Sequence, residues 1–394
     1  MKVTQDPASS WQAVFDQIDT VMHAHPEEAL KLCKQLFVES YLWEPPTYVR
    51  AAERYGKVMD HLGRSDEARD SLLAAQQAAQ ASCMPIDEAR ILERLARGYY
   101  SGGDYRRAMQ HWDNCIDKAD QAGGDAETWI LAKVGLAQVY KGAGDHAAAV
   151  TMLAQAQART AEVGDPHLDA KVKINLAVSL MERQRPQEAS AILHEAFAIC
   201  SAHQLFDYLA ESNFYLAKIA LGEAALERAM AYLDAALTAA LQVNFRWCEA
   251  HIHALKAEVF ARSGDFSMAL QAVRLAQAIA SADGFFDMLI HQHFAAAEYA
   301  ASLNDFASAF AEHKAGRDCE QRLHVQAPPE RSAELKDDII EQGELEPALR
   351  LLEERVMAHT ASLERHTMEL HALQEKLAAM RKIAARSEAA GTPD

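Results

Sequence analysis

Histidine is the residue type whose spacing in this sequence most directly suggests chemistry. His251 and His253 form one His-x-His pair, and His291 and His293 form a second pair 40 residues later. Imidazole nitrogens bind transition metals, so His251 and His291 are weak candidates for a shared metal site. Residues two apart on a helix face different directions, so all four rings cannot converge. We therefore expect no metal site, and interpret these side chains as ordinary polar histidines.

Motifs for catalysis and for cofactor binding are missing from the sequence. It contains no phosphate-binding glycine loop, no GxSxG nucleophile elbow and no HExxH zinc motif. Its Ser, His and Asp residues have no spacing that would join them into a catalytic group. The sequence therefore predicts a protein that is not an enzyme and that uses no cofactor.

Charge and hydropathy exclude several classes of partner. The formal net charge is −18, whereas nucleic acids and anionic lipids attract basic surfaces. The sequence has no apolar run long enough to span a membrane, and its start lacks the apolar core of a signal peptide. The six cysteines are dispersed, as expected in a reducing compartment. We expect a cytoplasmic protein that binds neither nucleic acid nor membranes.

An internal repeat of about 40 residues organises most of the chain. In each repeat, a turn made of small or polar residues precedes an alanine, as Gly103-Asp104 precedes Ala108. This repeat alanine recurs at intervals of 39 to 41 residues: Ala29, Ala68, Ala108, Ala149, Ala189, Ala229, Ala269 and Ala309. A bulky residue four positions later and a small one seven positions later share its helical face. Glycine or asparagine at the turn predicts the left-handed backbone that ends one helix, and the next aspartate caps the following helix.

These helix pairs resemble the tetratricopeptide repeat over roughly residues 10–325. The family period is about 34 residues, so the extra residues predict helices longer by about one turn and a longer loop between repeats. The resemblance implies an all-α fold, in which residues 1–325 form a right-handed α-solenoid of eight or nine helix pairs. Since this fold is a generic binding scaffold, it does not by itself define a function.

The resemblance places the first helix of each pair along a concave groove that would bind a protein segment, a peptide or a small effector. Positions near 18, 15 and 11 residues before the repeat alanine should face this groove. The candidate groove residues are Arg50, Glu53, Lys57, Arg90, Glu93, Arg97, Lys171, Asn175, Tyr215 and Lys218. The four cations of repeats two and three either form a basic patch for an acidic peptide or pair with carboxylates at helical spacing. Both interpretations stay open at this point.

The hydrophobic period changes to seven in the C-terminal part. Residues 326–348 predict a short helical linker or degenerate capping repeat, residues 349–386 a long coiled-coil helix, and residues 387–394 a disordered tail. The predicted homodimer seam comprises Leu349, Leu352, Val356, His359, Leu363, His366, Leu370, Leu373, Leu377 and Met380. The alternative is a single amphipathic helix folded back on the solenoid.

Residues 352–364, which read LEERVMAHTASLE, resemble the signalling helix that precedes output domains in bacterial regulators. Such helices usually have arginine where His359 stands. A repeat array followed by this helix resembles the sensory half of bacterial diguanylate cyclases, although this sequence contains no GGDEF motif. The resemblance implies a protein- or peptide-binding sensory or adaptor module that dimerises through its C-terminal helix and regulates an output domain. The alternatives are an intracellular peptide-sensing regulator and an assembly scaffold without a ligand.

Overall fold

A computed structural model describes residues 7–22, 25–38, 45–121 and 123–326, which contain sixteen α-helices and no strand. The helices are α1 (Pro7–Val21), α2 (Pro26–Val38), α3 (Pro45–His61), α4 (Arg69–Ala81), α5 (Pro85–Ser101), α6 (Tyr105–Gln121), α7 (Ala126–Gly142), α8 (His146–Val163), α9 (Pro166–Glu182), α10 (Pro186–His203), α11 (Phe206–Gly222), α12 (Leu226–Gln242), α13 (Arg246–Arg262), α14 (Phe266–Asp283), α15 (Phe286–Ser302) and α16 (Phe306–Gln326). A short 3-10 turn, Ser65–Ala68, leads directly into α4. None of these helices is long and apolar enough to cross a membrane. The predicted all-α fold is confirmed for this part of the chain.

The helices are arranged as a solenoid of successive pairs. Each odd-numbered helix packs most extensively against the even-numbered helix that follows it. Successive odd-numbered helices also contact one another from α1 to α13, whereas no two even-numbered helices in the described ranges pack comparably. The odd-numbered helices from α1 to α13 therefore line the inner side of the solenoid. The predicted capping repeat, coiled-coil helix and tail fall on residues outside the described part.

The turn inside each pair has the backbone conformation that its sequence predicts. The residue five positions before the repeat alanine has a positive φ, both at Gly264 (85°) and at Asn304 (61°). The same conformation occurs at Ala224 (58°), so the turn is kept even where the residue type does not favour it. The predicted caps also form, because Asp145 Oδ1 accepts a hydrogen bond from the Ala148 N–H at 2.9 Å. The repeat alanines from position 29 to position 269 are fully buried.

The extra residues of the long repeat lengthen the helices, and every helix from α5 to α15 has 17 or 18 residues. The predicted longer loop between repeats is wrong, since only Gly164 and Asp165 separate α8 from α9. Gly164 ends α8 with a φ of 69°, and Asp165 then accepts a hydrogen bond from the His167 N–H at 3.0 Å. A left-handed residue followed by a cap therefore turns the chain without a long connection.

Gly135 on α7 shows how closely neighbouring pairs approach. Trp112 on α6 lies four residues after its repeat alanine and is only 1% exposed. Its indole fills the space beside Gly135, where an ideal Cβ would lie 2.2 Å from the indole Cε2. No side chain fits in that space, so glycine at this position allows α6 and α7 to pack together.

Candidate functional site

Ion pairs occupy the concave surface at repeats two and three. Each of the four cations that the sequence assigned to the groove here has a carboxylate nearby. The pairs are Arg50–Asp87 (3.8 Å), Lys57–Glu53 (2.9 Å), Arg90–Asp125 (2.7 Å) and Arg97–Glu93. Of the two interpretations left open by the sequence, paired charges are the arrangement found here. The side chains of Arg50 and Arg90 are about half exposed, so part of each guanidinium group remains accessible to a ligand.

Glu93 and Arg94 form the buried centre of this group of ion pairs. The Glu93 side chain is 1% exposed, and its Oε2 lies 3.1 Å from Arg94 Nη1 while Arg97 holds its other oxygen. Arg94 also reaches Asp60 on α3 at 3.4 Å. Burial alone would raise the pKa of Glu93, but the fields of Arg94 and Arg97 outweigh it and hold the pKa at about 2. Glu93, like the buried Glu53, therefore orients the cations and is not itself open to a ligand.

Lys141, Lys171 and Glu211 form a central charged group on α7, α9 and α11. Unlike the cations above, none of the three forms an ion pair with the described residues, although the charge of Glu211 acts on both lysines. Burial lowers the pKa of Lys171 to about 8, and the positive charge of Arg97, two repeats earlier, adds to the shift. Burial and the neighbouring Asp207 raise the pKa of Glu211 to about 7. Charges interact across two repeats here because the groups face one inner surface.

The other predicted groove residues differ in exposure. Lys218 on α11 is exposed, whereas Asn175 and Tyr215 are half-buried. Asn175 Nδ2 donates a hydrogen bond to the Lys171 backbone oxygen at 2.8 Å. The Tyr215 ring lies 5.2 Å from that of Phe214, and burial raises the pKa of its hydroxyl group. A ligand in the central groove would therefore meet aromatic and amide groups beside the charges.

A cavity of about 470 Å³ lies at the N-terminal ends of α13 and α15. It is lined by Trp247, His251, Gly284, Phe285, Phe286, Asp287, Met288, His291 and Gln292. The rings of Trp247 and His251 lie 4.2 Å apart, centroid to centroid. Burial lowers the pKa of His251 to about 4, and the charge of Lys218 adds to the shift, so this ring is neutral at neutral pH. The cavity therefore combines aromatic walls with one carboxylate, that of Asp287.

The two histidines considered for metal binding both line this cavity. His251 and His291 therefore face the same cavity. No group of three His, Cys, Asp or Glu side chains within the described residues is placed to hold a metal ion. His293 has a different role, because its Nδ1 lies 2.7 Å from Glu312 Oε2 on α16. Metal binding by His251 and His291 stays untested.

Sequence reasoning missed several residues of the groove. Glu211 lies 18 positions before its repeat alanine, as Lys171 does, so extending the spacing rule to every repeat would have found it. Lys141 lies at the end of α7, outside the three positions of that rule. Trp247 and Asp287 lie in the first turns of their helices, also outside it. For these three residues no pattern in the sequence indicated an inward position.

Comparison with known proteins defines the fold. No protein-family model matches the sequence, and no curated protein is similar to it. Aspartyl phosphate phosphatase F from Bacillus subtilis is similar in structure, with 12% identity, a TM-score of 0.58, and coverage of 82% of this chain and 85% of that one. A Rap protein complexed with competence and sporulation factor has 17% identity and a TM-score of 0.57, over 83% of this chain and 90% of that one.

A signal transduction ATPase with a tetratricopeptide repeat sensor, from Pyrococcus horikoshii, has 14% identity and a TM-score of 0.55. The match covers 85% of this chain and 52% of the ATPase. At these identities the likeness concerns the fold alone. The described part of the chain is a tetratricopeptide-like all-helical solenoid.

Glu211→Gln is expected to stabilise the protein at about pH 8 by roughly 1–3 kcal/mol, and to have little effect near pH 4.5. The folded-state pKa of Glu211 is raised from 4.5 to about 7. Between these values the folded state binds more protons than the unfolded state, so wild-type stability falls as pH rises. Urea unfolding at both pH values measures the difference. The exposed Glu227→Gln on α12 is the control, and an equal pH response of the two variants would contradict the assignment.

Proposed function

We propose that the concave groove binds a peptide or an extended protein segment, and that the chain is a sensory or adaptor module of a bacterial signalling protein. The observation that carries the proposal is the central group formed by Lys141, Lys171 and Glu211. These side chains are partly removed from water and form no ion pair with the residues that the structure describes. Charged groups in such a position are costly to a folded protein. A ligand that supplies their missing partners would therefore bind with favourable free energy.

The chemistry of this group indicates the type of ligand. Two ammonium groups suit a carboxylate, such as a peptide C-terminus or an acidic side chain. Glu211 would be partly protonated near neutral pH and would accept or donate a hydrogen bond with the peptide backbone. A solved Rap protein with a similar fold is in complex with competence and sporulation factor, which supports a ligand-binding role for this scaffold.

The C-terminal residues would transmit the binding of a ligand in the groove to an output domain. The heptads of residues 349–386 would join two copies of the chain and couple occupancy of the groove to an output domain. This step rests on the heptad pattern and on the resemblance of residues 352–364 to a signalling helix. On this proposal the protein works in the cytoplasm, as a homodimer and without catalysing a reaction.

Lys171→Glu is expected to weaken peptide binding by at least about tenfold, because it replaces an unpaired ammonium group with a carboxylate beside Glu211. The ligands are obtained by selecting a phage-displayed random peptide library against the full chain. Affinities of the enriched synthetic peptides are then measured by fluorescence anisotropy.

Lys31→Glu is the matched control, since it makes the same charge change at an exposed site on the outer helix α2. It should leave peptide affinity unchanged. If no peptide is enriched, or if the enriched peptides bind both variants equally, the groove does not have the proposed role.

A further inference from the structure

The cavity at the starts of α13 and α15 exposes aromatic surface that the fold leaves uncovered. Phe286 is 52% exposed and Trp247 is 36% exposed, although both are large hydrophobic side chains. They lie on the concave side, because His251 and His291, which line the same cavity, occupy the repeat position of Lys171. Large apolar residues exposed together around a concave surface mark a contact site for another molecule.

Asp287 gives this cavity its charge. It is the one acidic residue among the nine that line the cavity, and the lining includes no Lys or Arg. Its carboxylate forms no hydrogen bond or ion pair with the described residues, while nearby Asp283 is already paired with Arg246 at 3.1 Å. An unpaired carboxylate beside exposed aromatic rings is complementary to a cation, which the ring faces attract as well.

We infer that this cavity binds a basic side chain, lysine or arginine, of the peptide that occupies the groove. The flat rings of Trp247 and Phe286 would contact the cation and its aliphatic stem, and Asp287 would form the ion pair. The chain's net charge of −18 favours the approach of such a ligand. The inference rests on the proposed function and extends it by naming a specificity site.

The distance between this cavity and the central charged group suits a short peptide. Lys171 is on α9, and the cavity begins on α13, two odd-numbered helices further along. Packed helices lie about 8–10 Å apart, so the separation is roughly 16–20 Å, which about five or six extended residues would span. One peptide would therefore place an acidic group at Lys171 and a basic side chain at Asp287.

The test uses blocked tripeptides that are too short to fill the whole groove. Acetyl-Ala-Arg-Ala-amide and its norleucine analogue are titrated into the full chain, whose methionine methyl groups are labelled with carbon-13. Met288 lines the cavity, and its methyl resonance, assigned with Met288→Leu, reports local binding. We expect a saturable shift with the arginine peptide and at least about fivefold weaker binding of the norleucine peptide.

Asp287→Asn should weaken binding of the arginine tripeptide by at least about fivefold. Asp70→Asn, which changes a similarly exposed first-turn aspartate on the distant helix α4, should not. Equal binding of the two tripeptides, or equal effects of the two variants, would overturn the inference. Lys171→Glu should leave tripeptide binding intact, so failure of the cavity and failure of the groove proposal are distinguishable.

Discussion

Glu93→Gln is expected to lower the free energy of unfolding by about 3 kcal/mol at neutral pH, because it removes the nearest carboxylate from the buried guanidinium of Arg94 and leaves that group with the longer contact to Asp60. Glu93 is 1% exposed and contacts both Arg94 and Arg97. The glutamine side chain has the same shape, so lost charge and not lost volume accounts for the effect. Urea unfolding of both proteins at neutral pH measures it.

The effect of this substitution should depend on pH. The folded-state pKa of Glu93 is lowered from 4.5 to about 2. A lowered pKa stabilises the fold fully above the unfolded-state value, and this contribution is lost as pH falls from 4.5 towards 2. The difference between wild type and Glu93→Gln should therefore shrink across that range. A difference that stays constant down to about pH 2.5 would mean that Glu93 is not the ionised partner of Arg94.

Glu258→Gln provides a close control for the Glu93 substitution. Glu258 and Arg262 form an ion pair at the same i,i+4 spacing as Glu93 and Arg97, also on an odd-numbered helix, but their side chains are 44% and 47% exposed. Water screens such a pair, so its loss should cost less than about 1 kcal/mol. Similar costs for the two substitutions would contradict the role assigned to burial.

Gly135→Ala is expected to destabilise the protein by about 3 kcal/mol, although alanine normally favours a helix. The added Cβ would lie 2.2 Å from the Trp112 indole, which is itself buried at 1% exposure. The fold must then separate α6 from α7 or shift the tryptophan. Thermal and urea unfolding at neutral pH provide the measurement.

Two comparisons isolate the clash with Trp112. Gly222→Ala adds the same methyl group at the end of α11, where nothing lies within 4 Å, and should stabilise the protein by about 0.4–1 kcal/mol. Combining Gly135→Ala with Trp112→Leu should remove most of the cost of the alanine, since leucine leaves room for it. Additive losses in the double variant would show that the two residues do not compete for the same space.

The two kinds of charge along the groove have different consequences. The charges around Glu93 are paired within the chain, and the contact between Arg94 and Asp60 joins α5 to α3. Lys171 and Glu211 have no such partners among the described residues, and their pKa values are shifted towards each other, to about 8 and about 7. On the proposed function, the charges of the central repeats are therefore the ones that a ligand would pair.

Much of the fold could be predicted from the sequence because its repeat signals are local. The alanine interval of about 40 residues, the left-handed turn residues and the capping aspartates each concern a few neighbouring positions. Gly264 and Asp145 behave as their types require. The prediction of a longer loop between repeats was wrong. The repeat period is the sum of helix and loop lengths, so the period alone does not show which of them is longer. Asp165 following Gly164 was the local signal for the short connection.

The repeat pattern in the sequence was enough to predict the solenoid of helix pairs, and the tetratricopeptide resemblance implied which helix of each pair faces inwards. Only the tertiary structure decided which inward charges are already paired. Arg90 and Lys171 both lie 18 positions before their repeat alanines, yet Arg90 is paired with Asp125 at 2.7 Å, whereas Lys171 senses the charge of Glu211 without forming an ion pair with it. The cavity at Trp247 and Asp287 likewise depends on how α13 and α15 stack. Burial and distance between residues far apart in the chain set these properties, and periodicity along one helix carries no information about them.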